Sequence, residues 1–125
     1  QCPQTVFVAR DQTLRFEGVS EARERLGELL GQFREGLRSP LEFFPETSLA
    51  YAQVAAAGDP AAALRKARAT FDPSWDGEHG ESRDPYVSLC FGDADPLEGE
   101  RFPGLAELVV GPALRARRAV AEEGA

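Results

Sequence analysis

The sequence predicts an α+β fold that is mostly helical, with an N-terminal β-hairpin followed by four to five helices. Two patterns carry this prediction. β-branched and aromatic residues cluster at the start of the chain, and apolar residues at helical spacing occupy most of the remainder. At 125 residues, the chain has the length of one domain. We therefore expect a single domain over residues 1–125, with the hairpin in 1–19 and a helical region in 20–125.

The hairpin is predicted from two short strand-like runs that flank a polar turn. Residues 5–8 read Thr-Val-Phe-Val, residues 10–12 are polar, and residues 14–16 form the second run. The clearest helix comes next, with Ser20 as its expected N-cap and Pro40 just beyond its end. The apolar residues of this helix share one face, which we expect to be buried in the core: Ala22, Leu26, Leu29, Leu30, Phe33 and Leu37.

Asp-Pro pairs and glycines mark the later helices. The pair occurs at 59–60, 72–73, 84–85 and 95–96. We interpret each Asp as a helix cap and each Pro as a residue of the first helical turn. The run LAYAQVAAA predicts a helix that ends at Gly58, and residues 85–91 predict a short helix that ends at Gly92, although their composition also allows a strand. The last helix starts near Pro103, with a bend or break at Gly111-Pro112.

Negative charge is concentrated in one segment. The chain has a net charge of −7, and residues 72–100 contain nine carboxylates against one arginine, Arg83. An acidic surface repels phosphates, so the chain alone is a poor candidate for tight binding of DNA or RNA. No apolar run approaches the roughly 20 residues of a membrane helix, and the start lacks signal-peptide features. With Cys2 and Cys90 far apart, we expect a cytoplasmic protein with reduced thiols and no membrane association.

The segment FDPSWDGEHGESRDPYVSLCFG, residues 71–92, raises the question of a catalytic or metal site, because it holds the only Trp and the only His. Its carboxylates do not have calcium-loop spacing, and a zinc site built from His79, Cys90 and Cys2 lacks a fourth ligand. His79 has no apolar context that would hold it against a nucleophile. Cys90 stands among apolar residues and is expected to behave as a small buried hydrophobe. We therefore predict no catalytic residue, no metal and no cofactor.

Several motifs follow one another in an order that resembles a known family. They are VFVARDQTLRF, GLRSPLEFFPETSLAYA, ALRKARATF, a Trp with a glycine-broken acidic loop, DPYVSLCFG, DPL and FPGLAELVVGPAL. In this order the chain resembles the C-terminal end of RecC, the gamma chain of exodeoxyribonuclease V in the bacterial RecBCD helicase–nuclease. The resemblance covers essentially the whole chain. Because the chain starts at Gln1, we expect it to be part of a longer protein.

The resemblance implies a non-enzymatic subunit whose C-terminal domain has a nuclease-like, restriction-endonuclease-like fold without an active site. It implies RecB- and RecD-like helicase subunits as partners, DNA binding only within the holoenzyme, and a role in double-strand-break repair by recombination. Nucleases of that fold hold Mg²⁺ with an acid and with an acid-x-Lys pair on the next strand. Here Glu17 is followed by Val19 at the Lys position, and the only Lys of the chain is Lys66, in a different helix. We therefore expect no nuclease activity from this chain.

Two groups of residues receive predicted roles. A structural clasp is expected to pin the acidic segment to the helical core through Trp75, Tyr86, Leu89 and Phe91. A stripe along the last helix is expected to form a partner interface through Leu105, Leu108, Val109 and Leu114. The isolated chain is expected to be a monomer or a weak dimer. Two alternatives stay open, a free-standing helical adaptor or regulator and a metal-dependent hydrolase that uses the carboxylates of residues 76–84.

Overall fold

The computed structural model describes residues 4–73 and 80–118. It opens with an antiparallel hairpin of strands β1 (Thr5–Val8) and β2 (Thr13–Phe16), in which Thr5 lies opposite Phe16. Five α-helices follow: α1 (Ala22–Gly36), α2 (Pro45–Ala55), α3 (Pro60–Phe71), α4 (Pro85–Phe91) and α5 (Arg101–Ala116). A 3-10 turn at Glu81–Arg83 precedes α4. The prediction of a mostly helical fold with an N-terminal hairpin is confirmed. No described helix is long and apolar enough to cross a bilayer.

After α5 the chain returns to the hairpin. Residues Arg117–Arg118 form strand β3, which pairs antiparallel with β2 and gives the sheet order β1-β2-β3. The Glu17 N–H donates to the Ala116 carbonyl at 2.9 Å and extends this pairing. The region predicted as helical, residues 20–125, therefore also contains this short strand, which was not predicted. A strand of two residues has no side-chain alternation from which it could be predicted.

The hydrophobic core lies among α2, α3, α5 and the loop before α5. Its buried side chains form one cluster: Phe44, Tyr51, Ala63, Ala67, Phe71, Leu97, Phe102 and Ala106. Ala63 and Ala67 are one helical turn apart and fully buried, so their small side chains let α3 approach its neighbours closely. The rings of Phe44 and Phe71 pack in a tilted arrangement with their centroids 4.8 Å apart. This cluster holds the three helices together.

Several helix ends follow the predicted signals. Asp59 and Asp84 each accept a hydrogen bond from a backbone N–H of the helix that they precede, at 2.9 and 2.8 Å, and each is followed by a proline in the first turn. Gly58 and Gly92 have φ values of +91° and +57°, which glycine adopts with little strain. Residues 85–91 therefore form the predicted helix and not the alternative strand.

Other predicted helix starts are wrong. The N-cap of α1 is Glu21 instead of Ser20, and it makes no side-chain capping bond. The Asp95-Pro96 pair starts no helix, since Asp95 accepts the Leu97 N–H at 2.9 Å within a turn. Asp72 is the C-cap of α3, and the residues that follow Pro73 lie outside the described ranges, so a helix start there stays a prediction. An Asp side chain can bind the N–H two residues further on without any helix following, so the pair alone does not determine a helix start.

Of the bend or break predicted at Gly111-Pro112, the break is wrong, because α5 continues through both residues to Ala116. Pro112 lies in the last turns of the helix, where its missing N–H removes a single backbone hydrogen bond. The preceding turns are held in the core by Phe102 and Ala106, both fully buried. Packing of the N-terminal half therefore outweighs the local cost of the proline.

Candidate interaction surface

The apolar face of α1 is exposed to solvent, so the prediction that it is buried in the core is wrong. No residue of this helix is buried. Four of its larger apolar side chains and the C-cap Leu37 are between 41% and 73% exposed: Leu26, Leu29, Leu30, Phe33 and Leu37. The half-buried residues of α1 are instead Arg25 and Gln32, which are two turns apart on one side. Arg25 lines a cleft with Pro112 and Arg115 of α5. Within residues 4–73 and 80–118, the domain thus contacts a polar side of α1 and leaves the apolar face uncovered.

The hairpin is a second exposed apolar area. Val6, Phe7 and Val8 of β1 are 51%, 58% and 74% exposed. Soluble domains rarely leave contiguous apolar surface uncovered, and such surface marks sites of protein interaction. Helical periodicity showed that α1 has an apolar face, but it could not show whether this chain or another surface covers that face.

The predicted interface on α5 is mostly occupied by packing within the domain. Leu105 is buried in the core at 7% exposure. Leu108, Val109 and Leu114 are half-buried. Leu114 lines a cleft of about 300 Å³ between α2 and α5, together with Ala52, Ala55, Ala56, Glu107, Gly111 and Arg115. The role of this stripe as an interface stays a prediction, and α1 offers more exposed apolar surface.

The structure places one of the four predicted clasp residues, Phe91, against the core. Phe91 is half-buried with its ring 5.8 Å from that of the core residue Phe44, and Val87 packs against the same core one turn earlier. Tyr86 and Leu89 are 76% and 81% exposed, so the expectation that they contact the core is wrong. A helix of seven residues presents one face to the core, and Val87 and Phe91 occupy it. The remaining member, at position 75, lies outside the described residues and stays a prediction.

A carboxylate that was not part of the predicted clasp ties the acidic segment to the core. Glu81 accepts the backbone N–H of Glu46 at 3.1 Å and that of Thr47 at 2.8 Å, in the first turn of α2. The N-cap of α2 is Phe44, whose side chain has no acceptor, so the remote carboxylate satisfies N–H groups that would otherwise lack a partner. The Phe44 N–H itself donates to the Ser48 hydroxyl at 3.1 Å. The apolar N-cap was the one sequence signal for this contact.

Close packing fixes the position of Glu81. A Cβ at Gly80 would collide with the carbonyl oxygen of Phe71 and with the Pro73 ring, so the chain can pass here only with glycine. The Ser82 hydroxyl lies 3.2 Å from the Asp72 carboxylate and donates to it. The described carboxylates of this segment therefore serve local structure, as caps and as acceptors.

No group of three or more His, Cys, Asp or Glu residues that could hold a metal occurs in residues 4–73 and 80–118. Asp76, Glu78 and His79 lie outside these ranges, so this finding does not concern them. Cys90 is a free, exposed thiol, which corrects the expectation that it is buried. It lines a groove of about 310 Å³ between the connector before α2 and the helix α4.

An ion pair joins α3 to the loop before α5. The Arg68 guanidinium donates to the Asp95 carboxylate at 2.8 Å, and the Leu97 N–H donates to the same carboxylate. Burial raises the pKa of Asp95, but these two hydrogen bonds and the charge of Arg68 outweigh it, so the pKa lies below its ordinary value. Leu97 is 1% exposed, so this contact positions a core residue.

A small helical domain that leaves one amphipathic helix uncovered is typical of a protein-interaction module. Residues 6–56 match the family described as the RecC C-terminal domain. The resemblance to the RecC C-terminal domain is therefore confirmed for this part of the chain. The matched residues run from β1 through α2 and include the whole uncovered face of α1. Neither the curated proteins nor the solved structures gave a match to this chain.

Proposed function

We propose that this chain is the non-catalytic C-terminal module of a RecC-like gamma subunit, and that it supports assembly of a RecBCD-type helicase–nuclease. The observation that carries this proposal is the uncovered apolar face of α1, which lies within the residues that match the family. Covering apolar side chains removes them from water, and apolar anchors contribute most of the binding energy at interfaces. In this proposal a RecB- or RecD-like helicase subunit covers α1.

The finer parts of the proposal concern the ancestry of the domain and its setting. The chain would hold the last strands and the terminal helices of a nuclease-like domain that has lost its active site, in a cytoplasmic complex that repairs double-strand breaks. The residues present support the loss of activity, because Glu17 and Val19 stand where an acid-x-Lys pair would be. Lys66, the only Lys, lies on α3. DNA would be bound only within the holoenzyme.

A charge placed on the apolar face of α1 tests the assembly role. Leu30→Glu in the full gamma subunit should prevent the helicase subunits from co-purifying with it, because a carboxylate loses its hydration when an apolar interface closes over it. Gly31→Glu is the matched control, since it adds the same charge to the adjacent exposed position, where nothing lies within 4 Å of a new Cβ. Circular dichroism checks that both variants fold. Equal recovery of the partners with both variants would contradict the proposal.

A further inference from the structure

Two arginines border the uncovered apolar face of α1 along the edge that lies away from the domain. Residues three or four positions apart are neighbours on a helix surface, so Arg23 lies beside Leu26 and Arg34 lies beside Leu30. Both arginine side chains are exposed. The other edge of the face adjoins the polar side of α1 that contacts the domain. The apolar face therefore has one edge against the domain and one exposed basic edge.

The acidic residues of α1 lie on a different side of the helix. Glu24, Glu28 and Glu35 stand neither three nor four positions from any of the exposed apolar residues of α1. Two of them bind other arginines: Glu28 accepts from Arg25 at 3.0 Å, and Glu35 accepts from Arg38 at 3.4 Å. In this helix, all of which is described, no carboxylate therefore borders the apolar face.

Arg23 and Arg34 are unpaired in the described part of the chain, where every ion pair involves another arginine. No acidic residue stands three or four positions from either of them, so α1 itself offers no partner. Exposed charges beside an apolar face lie at the rim of an interface that closes over that face. The two guanidinium groups are therefore positioned to meet carboxylates on the covering surface, with which arginine forms strong paired hydrogen bonds.

We propose that the surface covering α1 is the apolar face of an acidic amphipathic helix, two carboxylates of which bind Arg23 and Arg34. This inference rests on the proposed function, in which a helicase subunit covers α1, and adds the chemistry of that contact. The two arginines are 11 residues apart, which is about 16 Å along a helix axis. Carboxylates at the same spacing on a helix that lies along α1 would reach both arginines, while its apolar residues cover Leu26, Leu30 and Phe33.

An acidic protein surface fits the basic edge of α1 better than a nucleic acid does. Phosphates could pair with the two arginines, but they would leave the neighbouring apolar side chains in water. Two arginines also neutralise too few phosphates for tight binding, because affinity for nucleic acid grows with the number of phosphates neutralised. A helix that carries carboxylates beside apolar residues satisfies both features of the surface at once.

The test measures association of the proposed full gamma subunit with the helicase subunits by surface plasmon resonance at several salt concentrations. Arg23→Glu combined with Arg34→Glu should slow association about tenfold or more, because like charges then meet as the complex forms and rim charges act mainly on the association rate. Added salt should slow association of the wild type and speed that of this variant. Arg23→Lys combined with Arg34→Lys keeps both charges and should keep the association rate.

The matched control lies on α3. Arg65→Glu combined with Lys66→Glu makes the same change in net charge at two exposed positions of another helix and should change the association rate little. Circular dichroism checks that all variants fold. Equal slowing by the control would assign the effect to net charge and overturn the inference. Weaker binding of a single-stranded oligonucleotide by the α1 variant, with unchanged association with the helicase subunits, would assign the arginines to phosphate and overturn it as well.

Comparison with Leu30→Glu separates the acidic contact from the assembly role. Loss of the helicase subunits with Leu30→Glu, together with wild-type association of the variant with glutamate at 23 and 34, would overturn the acidic contact and leave the assembly role standing. Normal association of both variants would contradict the proposed function and this inference with it. So would a Phe33 ring that hydroxyl radicals oxidise as little in the free full subunit as in the complex, because another segment of the same subunit would then cover α1.

Discussion

At the scale of single residues, the contact between Glu81 and the first turn of α2 is the least expected feature of this chain. Glu81→Ala should lower the free energy of unfolding by about 1–2 kcal/mol, the cost of losing a helix cap and a favourable charge at the helix N-terminus. Glu81→Gln keeps an acceptor and should cost less. Urea denaturation measures both variants, with the exposed Glu98→Gln as control. An Ala variant as stable as the wild type would contradict this role.

The ion pair at Asp95 predicts a dependence of stability on pH. A carboxyl whose folded-state pKa is lowered stabilises the fold above its unfolded pKa of about 3.9, and this contribution is lost as the pH falls through the folded-state value. Asp95→Asn should therefore be less stable than the wild type at neutral pH, and the difference should shrink below about pH 4. Denaturation of both proteins at several pH values measures this difference. A difference that is constant with pH would show that charge is not the cause.

At the scale of elements, two glycines should respond in opposite directions to the same change. Gly31 lies in α1 with no atom within 4 Å of a new Cβ, so Gly31→Ala should stabilise the chain by about 0.5–1 kcal/mol. Gly80 precedes the 3-10 turn, and a Cβ there meets backbone and the Pro73 ring, so Gly80→Ala should cost about 1–3 kcal/mol. Thermal unfolding of the two variants compares them. If both substitutions changed the stability by the same amount, the close contacts at Gly80 would not matter, which would contradict this prediction.

The elements also show how far a sequence can be interpreted. The cap and glycine chemistry around α4 depends on residues next to each other in the chain, so it was predictable. The exposure of α1 was not predictable, because helical periodicity identifies an apolar face but does not show what packs against it. Glu81 and Thr47 are 34 residues apart, and the apolar N-cap Phe44 indicates that a partner is needed without indicating which residue supplies it. The helix break predicted at Pro112 was wrong for a related reason, because the packing of α5 on α2 outweighs the local preference of proline.

At the scale of the whole molecule, the absence of an acid-x-Lys pair predicts an inactive chain. The purified chain should digest neither single- nor double-stranded DNA with Mg²⁺ or Mn²⁺, because Glu17 has no Lys two residues further on to complete a metal-binding motif. Release of acid-soluble nucleotides measures digestion. Metal-dependent release that disappears with Glu17→Gln or with changes to the carboxylates of residues 76–84 would contradict this prediction.

The general architecture was predictable, while the division between core and interface was not. The hairpin and the helix positions follow from patterns within about ten residues, as expected for local signals. The core, by contrast, unites Phe44, Phe71, Leu97 and Phe102, which are distant in the chain. The most strongly amphipathic-looking segment of the first forty residues, α1, lies outside that core. The proposed assembly role would explain why this face is left for another protein surface.

The most direct test of the account is the solvent accessibility of Phe33 in the assembled complex. Phe33 lies on the uncovered face of α1 and is 63% exposed, and Tyr86, at 76%, provides a reference ring away from that helix. Hydroxyl-radical oxidation of both rings, measured by mass spectrometry, compares the free chain with the proposed full gamma subunit in complex with helicase subunits. We predict that oxidation of Phe33 falls several-fold on assembly while that of Tyr86 changes little. Equal oxidation of Phe33 in both states would contradict it.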